Sequence, residues 1–272
     1  MLKRTITGAL LVAVAVAFFF LRNINHQFFH ILISLIAIVG SIEINQIMGK
    51  KTNALQKIVC SLASVFVCLA FFAFELTGAL VTLSIFFIIL FFIPVFKRGN
   101  MPFESLAYSI FALIYPTALL LPLMLTNNLG DISLFALVLT FIISPVADVF
   151  AYLVGMTFKG KKLCPEISPK KTISGAIGGL VGAAVAGVVL FAIFKNTFNY
   201  HLSLSGYIYF GLVGLVGGVL TEIGDLVESY VKRRIGIKDM GNIIPGHGGM
   251  LDRVDGISFT ALFTFIIYSL IL

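Results

Sequence analysis

The chain has 272 residues, of which 59% are hydrophobic and only 11% are charged, with a formal net charge of +7. Soluble domains carry about 25% charged residues, so this composition excludes an ordinary soluble protein and indicates an all-α polytopic membrane protein. The basic excess follows from topology, as set out below, and makes no case for nucleic acid.

Apolar stretches long enough to cross a bilayer, roughly 17 to 25 residues, fall at about 5–21, 27–48, 55–74, 76–96, 103–125, 131–155, 174–194, 205–226 and 256–272. Nine transmembrane helices are expected. The first begins after Lys3-Arg4 and runs to Arg22 without a small-residue cleavage pattern, so it reads as a retained helix rather than a secretory signal. With the N-terminus cytoplasmic, every Lys and Arg except Arg22 and Lys195 falls on the inner side, which satisfies the positive-inside rule and leaves the C-terminus external. Attraction to anionic lipid headgroups is a second effect of the same charges. Residues 1–272 read as one membrane domain, with about 1–125 as scaffold and 131–272 carrying the catalytic site.

The second stretch holds Glu43 near its end, placed either to join an acidic site or to pair with Lys50 or Lys51. Cys60 and Cys68 share one predicted helix and Cys164 lies in a loop; none has CxxC spacing, so neither a disulfide nor zinc is indicated. Asp148 lies several residues inside the sixth stretch, where a carboxylate is costly unless paired, solvated or metal-bound. An ion pair with a nearby lysine is the structural alternative.

Two cytoplasmic loops are long, basic and supplied with Gly and Pro for irregular turns: "KGKKLCPEISPKKTISG" (159–175) and "VKRRIGIKDMGNIIPGHGGMLDRVDG" (231–256). Between them, Gly175, Gly178, Gly179 and Gly182, and then Gly211, Gly214, Gly217 and Gly218, are spaced for close helix packing. In the eighth stretch Glu222, Asp225, Ser229 and Lys232 share one helical face. About twenty residues from Ser205 reach ~30 Å, which puts Asp225 at the inner edge of the hydrocarbon core.

Asp252 and Asp255 repeat a three-residue spacing at the start of the last helix, so both can face one ion. Carboxylates flanked by lysines and a Gly-rich turn point to a magnesium-bridged polyphosphate, since magnesium takes one or two carboxylates and completes its shell with water and phosphate. His247, between glycines, fits a turn residue, a phosphate donor or a base; the donor role is favoured. It has no His or Cys partner at zinc spacing.

Residues 229 to 255, "SYVKRRIGIKDMGNIIPGHGGMLDRVD", resemble the signature of the phosphatidate cytidylyltransferase family: Ser229, Lys232, Arg233, Lys238, Asp239, His247, Gly248, Gly249, Asp252, Arg253 and Asp255 occupy its specified places. "DVFAYLVG" and "ISPKKTISG" resemble upstream family segments. The departures are Phe150 where a small residue is expected, Lys159-Gly160 in place of Gly followed by a basic residue, and Ser174 in place of a glutamate.

The resemblance implies that CTP and phosphatidic acid give CDP-diacylglycerol and pyrophosphate at the cytoplasmic face of a bacterial inner membrane. It implies one or two Mg2+ ions, with a second ion of another kind allowed, held by Asp148, Asp225, Asp252 and Asp255. Asp225, Lys232, Arg233, His247, Asp252 and Arg253 would be catalytic. Ser168, Lys170, Lys171, Thr172, Ser229, Lys238, Asp239, Gly248 and Gly249 would bind substrate, and a homodimer is expected. A CDP-alcohol phosphotransferase fails because Phe259 and Thr260 stand where its motif needs Ala and Arg. A secondary transporter with acidic ion-coupling sites is the alternative from another class.

Overall fold

The computed structural model describes residues 2–194, 204–246 and 248–271. The chain is almost entirely helical: α1 Leu2–Ile24, α2 Gln27–Ile47, α3 Ala54–Phe96, α4 Phe103–Leu113, α5 Leu119–Asn127, α6 Ser133–Phe158, α7 Ile173–Phe194, α8 Leu204–Ile235 and α9 Leu251–Ile271. Among the described residues, eight helical stretches are long and apolar enough to cross a membrane, α4 and α5 counting as one through a π-helical turn at Ile114–Ala118. Pro116 lies in that turn and lacks the N–H that a regular helix would use there.

The sequence divides 55–74 from 76–96, whereas α3 is assigned as one helix of 43 residues. Its backbone leaves helical values at Phe74 and Glu75, where Glu75 takes φ 52°. The rings of Phe66 and Phe86 nevertheless lie 6.0 Å apart. Twenty residues of straight helix would separate them by about 30 Å. The chain therefore reverses at Phe74–Glu75, and α3 is a helical hairpin. Gly78 makes the reversal possible, because a Cβ there would lie 2.5 Å from the Ala70 carbonyl oxygen.

The chain forms two compact units, one of residues 1–125 with 239–253, the other of 126–238 with 254–272. In the first, side-chain hydrogen bonds tie α2 to α3 and α3 to α4. Asn45 Nδ2 donates to the Lys57 carbonyl (3.3 Å) and to Ser61 (3.0 Å), while Gln56 Nε2 donates to the Ser105 carbonyl (3.2 Å). Asn53 and Gln56 form a capping box that starts α3.

In the second unit the core gathers Phe135, Leu139, Ile143, Phe191, Phe210 and Tyr268. Phe191 stacks on Phe210 at 4.7 Å, and Phe135 meets Phe210 edge-on at 5.1 Å. Hydroxyl pairs Thr140–Thr264 (2.8 Å) and Thr221–Thr260 (3.0 Å) join α9 to α6 and α8. The glycine faces are consumed within this unit. A Cβ at Gly179 would lie 3.0 Å from the Ala147 carbonyl oxygen, one at Gly218 would lie 2.7 Å from Ala183 Cβ, and one at Gly217 would lie 3.1 Å from Ile143.

Residues 159–175, expected as an irregular loop, contain an antiparallel hairpin. β1 (Lys162–Cys164) pairs with β2 (Ser168–Thr172), with Lys162 opposite Thr172 and Cys164 opposite Ser168. Thr172 then caps α7, its Oγ1 accepting the Gly175 N–H at 3.1 Å. Two helix limits also move. α8 runs on to Ile235 and stops in a Schellman turn, in which the Ile237 N–H reaches the Lys232 carbonyl at 2.9 Å and Gly236 takes φ +83°. α9 begins at Leu251, five residues before the expected 256.

Candidate active site

In the second unit α8 presents acids and a lysine along one face. Asp225 and Glu228, one turn apart, meet Asp255 from α9, and a carboxylate oxygen from each lies within 4.8 Å of the others. Glu228 is fully buried, and its Oε2 lies 3.5 Å from Lys232 Nζ. Lys171, near the end of β2, reaches Glu222 Oε1 at 2.8 Å and Asp225 Oδ2 at 2.5 Å. Burial works to lower the pKa of Lys171, but the charges of Asp225 and Glu222 outweigh it and the net shift is upward. Its ammonium is therefore fixed at neutral pH. Asp148 on α6 feels the charges of Asp255, Asp225, Lys171 and Glu222.

The hairpin and α6 enclose a cavity of about 560 Å³ beside these groups. Asp148, Lys159, Lys162, Lys170, Lys171 and Glu222 supply its charge, while Ala151, Tyr152 and Met156 supply apolar wall. The volume lies within the usual range for small-molecule sites, and a basic pocket opening on carboxylates has the donors and acceptors that a metal-bound polyphosphate uses.

Several expected substrate residues have identifiable local partners in this unit. Arg233 Nε donates to the Ile167 carbonyl (3.3 Å) and its Nη1 to the Ile237 carbonyl (3.4 Å), which ties α8 to the β-hairpin. Ser168 is half-buried at the start of β2, Ser229 is buried, and Lys170 and Lys238 are exposed. Ser174 Oγ donates to the Lys159 carbonyl, joining two of the positions that depart from the family pattern. Phe150, the third departure, packs its ring over Gly182, where any Cβ would collide with it.

In the first unit the signature loop is built around two further carboxylates. Asp252 Oδ2 accepts the N–H groups of Met240 (2.9 Å) and Gly249 (2.7 Å). Glu43, fully buried on α2, accepts the Met250 N–H on Oε1 (2.8 Å) and the Leu251 N–H on Oε2 (3.1 Å). It thus caps α9 from 207 residues away. The two roles weighed for Glu43 named other acids or Lys50 and Lys51 as its partners; the contacts described here are with backbone amides.

The paired glycines of the signature follow from these carboxylates. Gly248 takes φ +85°, and a Cβ there would lie 2.7 Å from Asp252 Oδ2. At Gly249 a Cβ would lie 2.8 Å from both Glu43 oxygens, and at Gly241 2.6 Å from Oε1. Ile244 and Gly248 bridge across the loop, the Ile244 N–H donating to the Gly248 carbonyl at 3.0 Å. Asp239 lies beside Gly248, and Arg253 is exposed. His247 lies outside the described residues.

Residues 2–271 match the family model described as the Cytidylyltransferase family. The chain belongs to the cytidylyltransferase family. A phosphatidate cytidylyltransferase of Bacillus subtilis (strain 168) is 31% identical over 274 residues, covering 99% of this chain and 98% of that relative. One from Rickettsia felis is 40% identical over 174 residues, covering 62% of this chain and 73% of the relative. Another, from Rickettsia prowazekii, is 39% identical over 165 residues, covering 60% and 70%. Of the acids in these two arrangements, Glu228 is the one that the sequence reading does not name, and Glu43 is named there without its capping role. Glu228 had a local signal, since it stands three residues after Asp225 and four before Lys232. The capping role of Glu43 had none.

Proposed function

We propose that the chain is a phosphatidate cytidylyltransferase, joining CTP and phosphatidate to form CDP-diacylglycerol and pyrophosphate. The observation that carries this reading is the meeting of Asp225, Glu228 and Asp255 within 4.8 Å of one another, in a unit that also holds a lysine-lined cavity. Three oxygen donors so close suit a hard divalent ion, which fits Mg2+ held by Asp225, Glu228 and Asp255 with Asp148 facing it. Bound there, magnesium would neutralise charge on the nucleotide phosphates.

The chain's own residues bind and orient. Lys171, locked between Glu222 and Asp225, and Lys170 offer ammonium donors to the phosphates of CTP. Lys232 is fixed by Glu228 for the same purpose. A phosphate oxygen of the lipid then attacks the α-phosphorus of CTP in line. The new P–O bond forms as the bond to pyrophosphate breaks, so the reaction gains most from positioning and charge neutralisation. The nucleophile is already an anion and no general base is required. In this reading Arg233 holds the hairpin that carries Lys170 and Lys171. Asp252 orders the loop that bears Asp239, Gly248 and Gly249, while Ser229, Lys238 and Arg253 remain candidate phosphate contacts. The homodimer expected from the resemblance would use a surface other than the glycine faces, which are spent inside the chain.

Pyrophosphate release by purified protein with phosphatidate, CTP and magnesium tests the reaction. Lipid-dependent release that favours CTP over ATP and is lost in Asp225→Asn supports it; no release from folded wild-type protein across several lipids and metals overturns it. We also place this site on the cytoplasmic side of the inner membrane. Cys164 lies in β1 while Cys60 and Cys68 are buried. A membrane-impermeant maleimide should therefore label Cys164 in inside-out vesicles and not in right-side-out ones.

A further inference from the structure

A second cavity, of about 440 Å³, lies in the first unit where α3 and α4 begin. Lys51, Thr52, Asn53, Lys97, Asn100 and Glu104 line it, none of them assigned to the reaction above. Two ammonium groups stand there against one carboxylate. Lys51 is placed by Tyr108, its Nζ 3.4 Å from the phenolic oxygen and 5.0 Å from the ring centroid. Asn53 spends its side-chain N–H on a weak acceptor, Met101 Sδ at 3.6 Å.

The observation that points to a ligand is Thr52. It is 6% exposed, and its Oγ1 has no hydrogen-bond partner among the described residues. A buried hydroxyl left so is destabilising, a cost removed when an acceptor enters. The flanking positions indicate where that acceptor comes from. Phe96 and Phe103, bracketing the turn that carries Lys97 and Asn100, are 82% and 79% exposed at the ends of apolar helices. An anionic headgroup among lysines beside exposed phenylalanines is the arrangement of a membrane interface.

We propose that this cavity binds the phosphate of an anionic phospholipid, with Thr52, Lys51 and Lys97 holding the headgroup and Phe96 and Phe103 beside the acyl chains. It is a lipid site additional to the proposed reaction and does not depend on it.

The test is native mass spectrometry of the full chain in detergent micelles doped with either phosphatidylglycerol or phosphatidylcholine, with and without excess inorganic phosphate. Wild-type protein should retain phosphatidylglycerol preferentially. Thr52→Val and Lys97→Gln should each lower that retention about tenfold, the scale of one hydrogen bond to a charged group. Thr52→Ser, which keeps the hydroxyl, should restore it. Equal retention of both lipids, or preference unchanged in both Thr52→Val and Lys97→Gln, overturns the proposal. Displacement of the lipid by inorganic phosphate alone overturns its lipid part and leaves a soluble-phosphate site. Pyrophosphate release measured on the same variants should match wild type, which keeps a failure here distinct from a failure of the cytidylyltransferase reading.

Discussion

The two units use acids in opposite ways. In the first, the Glu43 carboxylate and Asp252 Oδ2 accept backbone N–H groups from Met250, Leu251, Met240 and Gly249. In the second, Asp225, Glu228 and Asp255 face one another, with Lys171 and Lys232 at the edges. A carboxylate matched to amides is spent on shape. Carboxylates matched to carboxylates repel; Lys171 and Lys232 offset part of that cost, and a bound cation would offset the rest. In the proposed reading the difference separates acids that build the loop from acids that hold a metal ion.

The sharpest way to break this contrast is Asp225→Asn. It removes one charge from the cluster and leaves the helix intact. Turnover should fall at least about a thousandfold, roughly 4 kcal/mol of transition-state stabilisation. The melting temperature in metal-free buffer should change little, because the repulsion relieved offsets the lost ion pair with Lys171. A variant that melts earlier yet retains turnover would make Asp225 structural and erase the distinction. Lys171→Gln comes next, with turnover lower by about a hundredfold, the scale of one electrostatic contact in a closed site. The upward shift of Lys171 also has a sign that can be checked. Its ion pairs are fully present below the unfolded lysine pKa of about 10.4 and are lost only as pH rises through the higher folded value. Wild-type stability should show no Lys171 step between about pH 7 and 9 in thermal melts; a step there would contradict the paired geometry.

On the structural side of the comparison, Glu43→Gln and Gly249→Ala should each cost about 1–3 kcal/mol. The glutamine turns an N–H group toward an amide N–H that needs an acceptor. The alanine pushes a methyl within 2.8 Å of a carboxylate that two N–H groups hold in place. Both variants should melt earlier with metal-dependent binding of CTP weakened little in the protein that stays folded. Loss of nucleotide binding without loss of stability would move Glu43 into the reacting set.

What could be read from the sequence divides along the same physical line. The apolar runs are legible because a bilayer demands them, and the break between 55–74 and 76–96 corresponds to the reversal at Phe74–Glu75. Asp148 and Asp225 stand out because an acid in an apolar run is costly, and Asp255 stands out by its three-residue spacing from Asp252. The hairpin 162–172 is hidden: its strands are three and five residues long and rich in Lys and Pro, which carry no strand signal. The capping role of Glu43 is hidden for another reason. Its partners are backbone amides 207 and 208 residues away, and an amide has no sequence identity to recognise.

The smallest effect tests whether a departure from the family pattern is compensated. Phe150 replaces an expected small residue on α6, and its ring occupies the space over Gly182 of α7. Gly182→Ala should therefore cost about 1–3 kcal/mol by overpacking, since the methyl meets the ring rather than a flexible chain end. Phe150→Ala alone should cost less, because 39% of that side chain is already exposed on an apolar helix. The two changes together should recover most of the Gly182→Ala loss, a coupling of about 0.5–3 kcal/mol in a double-mutant cycle of thermal melts. Strict additivity would mean that the backbones of α6 and α7 shift apart to absorb the methyl. Gly182 would then answer to helix spacing, as Gly179 does against the Ala147 carbonyl, and not to Phe150.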